Sequence, residues 1–159
     1  MFTSTMFASI LPEILILVLA VSIFIVEPFW KAEKRRNVGW LTAGGLLAAM
    51  VISLLFGQPG EPTSTLGGMV RFDWLGFFFK MLFMFAGAAT ALLFMDNEKI
   101  GHRGEAYLLL LASLLGMNLM AASADLVMLY LAIETTSIPL YVLSGFMLAD
   151  NKSTESGFK

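Results

Sequence analysis

The chain has 159 residues, of which 58% are hydrophobic and only 14% charged, with a mean hydropathy of +0.81. Soluble domains run nearer ~45–50% apolar and ~25% charged, so a water-soluble fold is excluded. The net charge of −2 and pI near 5.3 exclude a nucleic-acid partner, which requires a basic footprint. There is no cysteine, which removes disulfides and thiolate metal sites. The single histidine, His102, falls in a charged loop and reads as a solvated residue, so no metal and no cofactor is expected to bind.

The apolar residues lie in blocks long enough to cross a bilayer, which takes roughly 20 residues at a helical rise of about 1.5 Å. The expected fold is all-α: a polytopic transmembrane helix bundle of five spans forming a single membrane domain over 1–159. Span one is expected over about 10–30, with Pro12 in its first turn, where the missing N–H costs nothing. Glu13 and Glu27 then sit near its two ends as solvated or snorkelling carboxylates, and Trp30 joins the interfacial aromatic belt. No Lys or Arg precedes Lys31, which argues against a cleaved signal and for a permanent first helix. Span two, about 38–56, carries Gly44, Gly45, Ala48 and Ala49 on neighbouring turns, a pattern that favours close helix packing.

The stretch 57–71 holds Pro59, Pro62 and several Gly, Ser and Thr residues and reads as an exposed loop. Spans three (about 72–95) and four (about 106–122) follow, separated by a short charged loop. The link Ser123-Ala124-Asp125 is so short that spans four and five (about 126–148) must form an antiparallel hairpin, with Ser123 or Asp125 capping the fifth helix. The segment 150–159 reads as the start of a sixth helix.

Two ionisable residues fall well inside spans, where each costs roughly 2.5–3.5 kcal/mol and needs a partner or a purpose. Glu134 lies about 13 Å down the fifth helix and Lys80 about 12 Å down the third. Their matching depth raises the expectation of a pair or a shared hydrated path; the alternative for Lys80 is a stem that snorkels to an interface. Tyr130, Glu134, Ser137, Tyr141 and Ser144 recur at intervals of four, three, four and three, hence on one helix face. That polar stripe is expected to look into protein or a hydrated path. Pro139 removes the N–H partner of the Thr135 carbonyl and loosens the helix beside the glutamate.

The run GMNLMAASADLVMLYLAIETTSIPLYVLSGF over 116–146, with STESGFK over 153–159, resembles the antiporter-like membrane subunits of respiratory complex I. The resemblance is specific over 105–159 and looser before it. It implies about fourteen helices, two inverted five-helix repeats, and proton channels built from a glutamate, lysines and broken helices. A chain reaching only to Lys159 is expected to be the N-terminal third of such a subunit. Glu134 corresponds to the family's glutamate of the fifth helix and Lys159 to a lysine opening the sixth, with Lys80 a further member of a possible proton path. The resemblance also implies residence in the bacterial plasma membrane beside other membrane subunits, in a complex that uses NADH and quinone through other chains. Two alternatives remain open: a subunit of a multi-subunit cation/proton antiporter, and a structural membrane scaffold.

With the N-terminus outside, the inner segments carry eight basic residues (Lys31, Lys34, Arg35, Arg36, Lys99, Arg103, Lys152 and Lys159) against Arg71 alone outside, the bias expected of cytoplasmic loops. Cysteines introduced at Lys34 and Thr63 should therefore label from opposite faces of the membrane with an impermeant maleimide. Labelling of both from the outside overturns this orientation.

Overall fold

The computed structural model describes residues 4–29, 37–97, 100–101, 103–146 and 155. Trp30, the basic cluster at 31–36, Lys99, His102, Lys152 and Lys159 lie outside these, so the expectations placed on them are not addressed by the structure.

Five helices long and apolar enough to cross a membrane are present: α1 (Ser4–Val26, continued by a 3₁₀ turn at Glu27–Phe29), α2 (Asn37–Phe56), α3 (Trp74–Asp96), α4 (Gly104–Ala121) and α5 (Leu126–Ser144). The all-α expectation holds for the membrane-spanning part. Helix α1 packs on α2 and α4, and α3 packs on the same two helices, so the first four helices form a closed ring; α5 lies outside it, against α4. The ring interior is filled by Ile16 and Ile23 of α1, Leu46 of α2, Met84 and Ala91 of α3, and Tyr107 and Leu111 of α4. Outward faces carry side chains such as Phe24, Leu55, Leu93 and Leu126, which hydrocarbon solvates without penalty.

Two expectations about the chain between helices need correction. Helix α1 begins at Ser4, about two turns before the expected start, because nothing in Ser4–Ile10 breaks a helix. Pro12 and Glu13 consequently lie well inside it, and both are buried. The loop at 57–71 is also more ordered than its composition suggests. Strands β1 (Thr63–Thr65) and β2 (Val70–Phe72) pair antiparallel, Thr65 opposite Val70. Their connection turns through Leu66, Gly67 and Gly68, all at positive φ (52°, 69° and 93°), a path that two glycines make accessible. Thr65, Val70 and Phe72 are buried beneath this hairpin. Three-residue strands are too short for alternation to be read from sequence.

The hairpin is sewn to the corner between α4 and α5. Arg71 N donates to Ala122 O (2.7 Å), Ala124 N donates to Met69 O (2.8 Å), and Val70 forms a bridge with Ser123. Asp125 caps α5, its carboxylate accepting from Met128 N at 2.7 Å, and Asp73 caps α3, accepting from Gly76 N at 2.8 Å. Ser123, the other candidate cap, instead donates to Met120 O. The cap of α5 and the antiparallel α4–α5 hairpin are therefore as expected.

Of the small residues in α2, Gly45 and Ala49 face the bundle, Gly45 lying against Leu19 of α1. Gly44 and Ala48 face outward. The tightest backbone approach between helices is elsewhere. A Cβ on Gly116 of α4 would come within 2.6 Å of Thr136 N and 2.9 Å of Ala132 O in α5, closer than real atoms approach. Substitution of Gly116 by leucine should thus separate α4 from α5 and destabilise the bundle by about 1–3 kcal/mol. Gly44, with open space beside it, should tolerate the same change within about 0.5 kcal/mol. Unfolding of the two variants in mixed micelles checks the difference.

Candidate functional site

Lys80 neither snorkels nor reaches Glu134. It is 3% exposed, and its Nζ lies 2.7 Å from Glu13 Oε1. Nζ also donates to the backbone carbonyl of Ser9 at 2.8 Å. Glu13, expected near a helix end and solvated, is 7% exposed. The reason is the early start of α1: nine residues precede Glu13 within the helix, roughly 13 Å, too deep for a glutamate to reach water. Pro12 contributes as well, since its ring crowds the carbonyl of Ala8 and opens the turn containing Ser9. The ion pair crosses a diagonal of the four-helix ring, joining α1 to α3, which are not neighbours around its rim.

The hairpin closes the site from above. Ser9 Oγ and Thr65 Oγ1 lie 3.0 Å apart, which ties α1 to β1 one helical turn from Glu13. An ion pair in low dielectric is unfavourable unless its geometry is good and its remaining hydrogen-bonding capacity is met. Lys80 is well provided for. Glu13 Oε2, by contrast, has no hydrogen-bond partner among the described residues.

Glu134 lies at a similar depth on α5, half-buried. The face that α5 turns to α4 consists of Ala132, Thr136 and Pro139. The stripe expected to look into protein or a hydrated path lies on the face of α5 turned away from the ring: Tyr130 is 61% and Tyr141 64% exposed. Small residues won the contact because Gly116 admits them at backbone distance, which leaves the larger polar side chains outside. Within the stripe, Ser137 Oγ approaches Glu134 O at 3.5 Å and Ser144 Oγ donates to Tyr141 O at 2.8 Å. Pro139 does not interrupt the helix, which runs unbroken from Leu126 to Ser144. The structure thus brings Lys80 to Glu13, leaves Glu134 on a separate helix face, and does not describe Lys159.

Sequence reasoning missed Glu13. The rule that flagged Lys80 and Glu134 applies to it equally once the helix is begun at Ser4, and the absence of any breaker in Ser4–Ile10 was the available signal. It also missed Asn118, fully buried in α4 with neither amide atom hydrogen-bonded among the described residues.

Residues 123–159 match the family described as NADH:quinone oxidoreductase/Mrp antiporter, TM. With its five helices long and apolar enough to cross a membrane, the chain is a multi-pass membrane protein that is similar to this family over its last 37 residues. Along nearly its whole length it is similar to NADH-quinone oxidoreductase subunit N. It is 36% identical to the subunit N of Brevibacillus brevis over 156 residues, covering 94% of this chain and 30% of that protein. It is 33% identical to that of Trichlorobacter lovleyi (94% and 31%) and 36% identical to that of Protochlamydia amoebophila (99% and 33%). The chain spans about a third of the length of these relatives.

Removing one partner of a buried ion pair leaves an uncompensated charge and typically costs ~3–5 kcal/mol, whereas replacing both can be nearly neutral. Glu13→Gln and Lys80→Met should each cost about that much in a micelle unfolding assay. The double variant should cost much less than their sum. Additive losses would show that the two side chains are not coupled.

Proposed function

We propose that this chain is part of a proton-translocating membrane subunit of an NADH-quinone oxidoreductase, in which quinone reduction by other subunits drives proton movement through this one. The observation that supports this most is the 33–36% identity to subunit N along nearly the whole chain. In this reading NADH and quinone are substrates of the complex and are handled by other chains. The whole of 1–159 works as one membrane unit in the bacterial plasma membrane, N-terminus outside, with other membrane subunits and lipid as its surroundings.

Glu134 is the proposed proton relay. Its carboxyl stands on the outward face of α5, flanked by Tyr130, Ser137 and Tyr141, so it can exchange protons with whatever packs there. Lys159, which opens the proposed sixth helix, is the further basic member of this path; Lys80, paired with Glu13 inside the ring, is set apart from it. Ser137 and Tyr141 supply hydroxyls able to orient water beside the carboxyl. Pro139 leaves the Thr135 carbonyl without a helical N–H donor, a second acceptor next to the relay. The reading as a cation/proton antiporter subunit shares Glu134, and the family description names both kinds of protein; the subunit N relatives favour the first.

Glu134→Gln keeps size and hydrogen-bonding capacity but cannot carry a proton as a carboxylate does. Complex assembly should be unchanged, while NADH-driven proton pumping falls about a hundredfold or more, within the range attributed to single proton-transfer groups. Glu134→Asp should retain part of the activity. Normal pumping by Glu134→Gln at normal subunit levels overturns the relay and leaves a scaffold role. Pumping that depends on a sodium gradient but not on NADH would favour the antiporter reading.

A further inference from the structure

Asn118 and the Glu13–Lys80 pair are far apart in sequence, yet the packing of α4 brings them to one level. Gly104, at the start of α4, lies against the side chain of Glu27 at the end of α1. From there, Asn118 is fourteen residues along α4 and Glu13 fourteen residues back along the antiparallel α1, each about 21 Å. A second, independent marker agrees. A Cβ on Gly76 of α3 would lie 2.9 Å from Ala121 O of α4; Lys80 is four residues further into α3 and Asn118 three residues back from Ala121. All three side chains thus share one layer near the hairpin end of the ring.

Direction agrees with depth. Leu111, Leu114 and Asn118 fall at i, i+3 and i+7, hence on one face of α4, and both leucines belong to the ring core. Leu114 sits against Gly87 of α3. Gly116, which meets α5, is two residues away and so nearly opposite. Asn118 therefore points into the ring and not toward α5.

The layer contains an acceptor and an amide with no protein partner. Glu13 Oε2 and both amide atoms of Asn118 are buried and without hydrogen bonds among the described residues. Unpaired buried polar groups of this kind are held by ordered water in native proteins, each such water making about three hydrogen bonds. We propose that Glu13, Lys80 and Asn118 hold a buried water at the hairpin end of the ring, and that Glu13 exchanges a proton with it. The proton arrives as hydronium from the hairpin side, binds Glu13 Oε2 and leaves water behind. Lys80 remains an ammonium throughout, and no bond between heavy atoms changes. The Asn118 amide, donor and acceptor at once, can orient the water toward either form of the carboxyl.

Few other charges act on this layer. Glu13 is the only ionisable residue of Ser4–Val26, α2 has none, and those of α4 are Glu105 and Tyr107 at its far end. On α3 the only charge besides Lys80 is Asp96 at the opposite terminus. Above the layer, Arg71 and Asp73 neutralise each other at 2.7 Å. Ser9 and Thr65 present hydroxyls between them and the carboxyl.

The test is pH-difference infrared spectroscopy of the subunit in its membrane complex, reconstituted in lipid nanodiscs. A protonated-carboxyl band should appear on acidification and be lost in Glu13→Gln. Asn118→Leu leaves the ion pair in place; it should keep the band, shift it to higher frequency as a hydrogen bond is removed, and abolish the wild-type water band that responds to H₂¹⁸O. A wild-type set of carboxyl bands that is unchanged in Glu13→Gln, or an Asn118→Leu spectrum identical to wild type, overturns the proposal. If Glu13→Gln fails to assemble, the Asn118→Leu comparison decides alone. Only a pumping readout rests on the function proposed above. Loss of the Glu13 band together with normal pumping in Glu134→Gln would keep this site and remove that function. The reverse pattern would do the opposite.

Discussion

An ammonium inside hydrocarbon has to be matched, and much of the arrangement of this protein follows from the way Lys80 is matched. Its partner comes from α1, across the ring, and its second acceptor is the Ser9 carbonyl of the same helix. Helix α1 must consequently extend to Ser4, far enough to carry Glu13 into the bilayer. The hairpin must fold down so that Thr65 can meet Ser9. Apolar packing by itself would let α1 slide against α3. A single charge pair in a medium of low dielectric fixes their relative height.

The membrane class, the number of spans and the α4–α5 corner were legible in the sequence because each depends on local features: runs of apolar residues, a three-residue link, an aspartate at a helix start. The partner of Lys80 was not. Equal depth suggested Glu134, but depth is one coordinate, and the other two depend on which helices become neighbours. Glu13 was hidden by a boundary error of about two turns, of the kind that arises when a helix runs through polar residues such as Ser4 and Thr5 ahead of its apolar stretch.

The fifth helix illustrates a different limit. Period alone placed Tyr130, Glu134, Ser137 and Tyr141 on one face, correctly, yet could not say which way that face turned. A helix with two usable faces is oriented by whichever binds its neighbour more tightly. Here Gly116 offers Thr136 and Ala132 a backbone-distance contact that tyrosines cannot make. The relatives, about three times as long as this chain, share this segment, and an outward polar face on α5 suits a helix that meets further protein.

The stitching of the hairpin to the corner after α4 has a mechanical consequence. Two backbone hydrogen bonds join Met69 and Arg71 to Ala124 and Ala122, and together they make the Val70–Ser123 bridge. Those two bonds clamp the start of α5 to the hairpin, while just past its other end the Arg103 guanidinium lies over the Phe146 ring, 5.4 Å from the centroid. A swing of α5 then pivots near Asp125, with an amplitude that rises toward Ser144. Displacement grows along the lever arm, so Glu134, halfway down, travels about half as far as the tip.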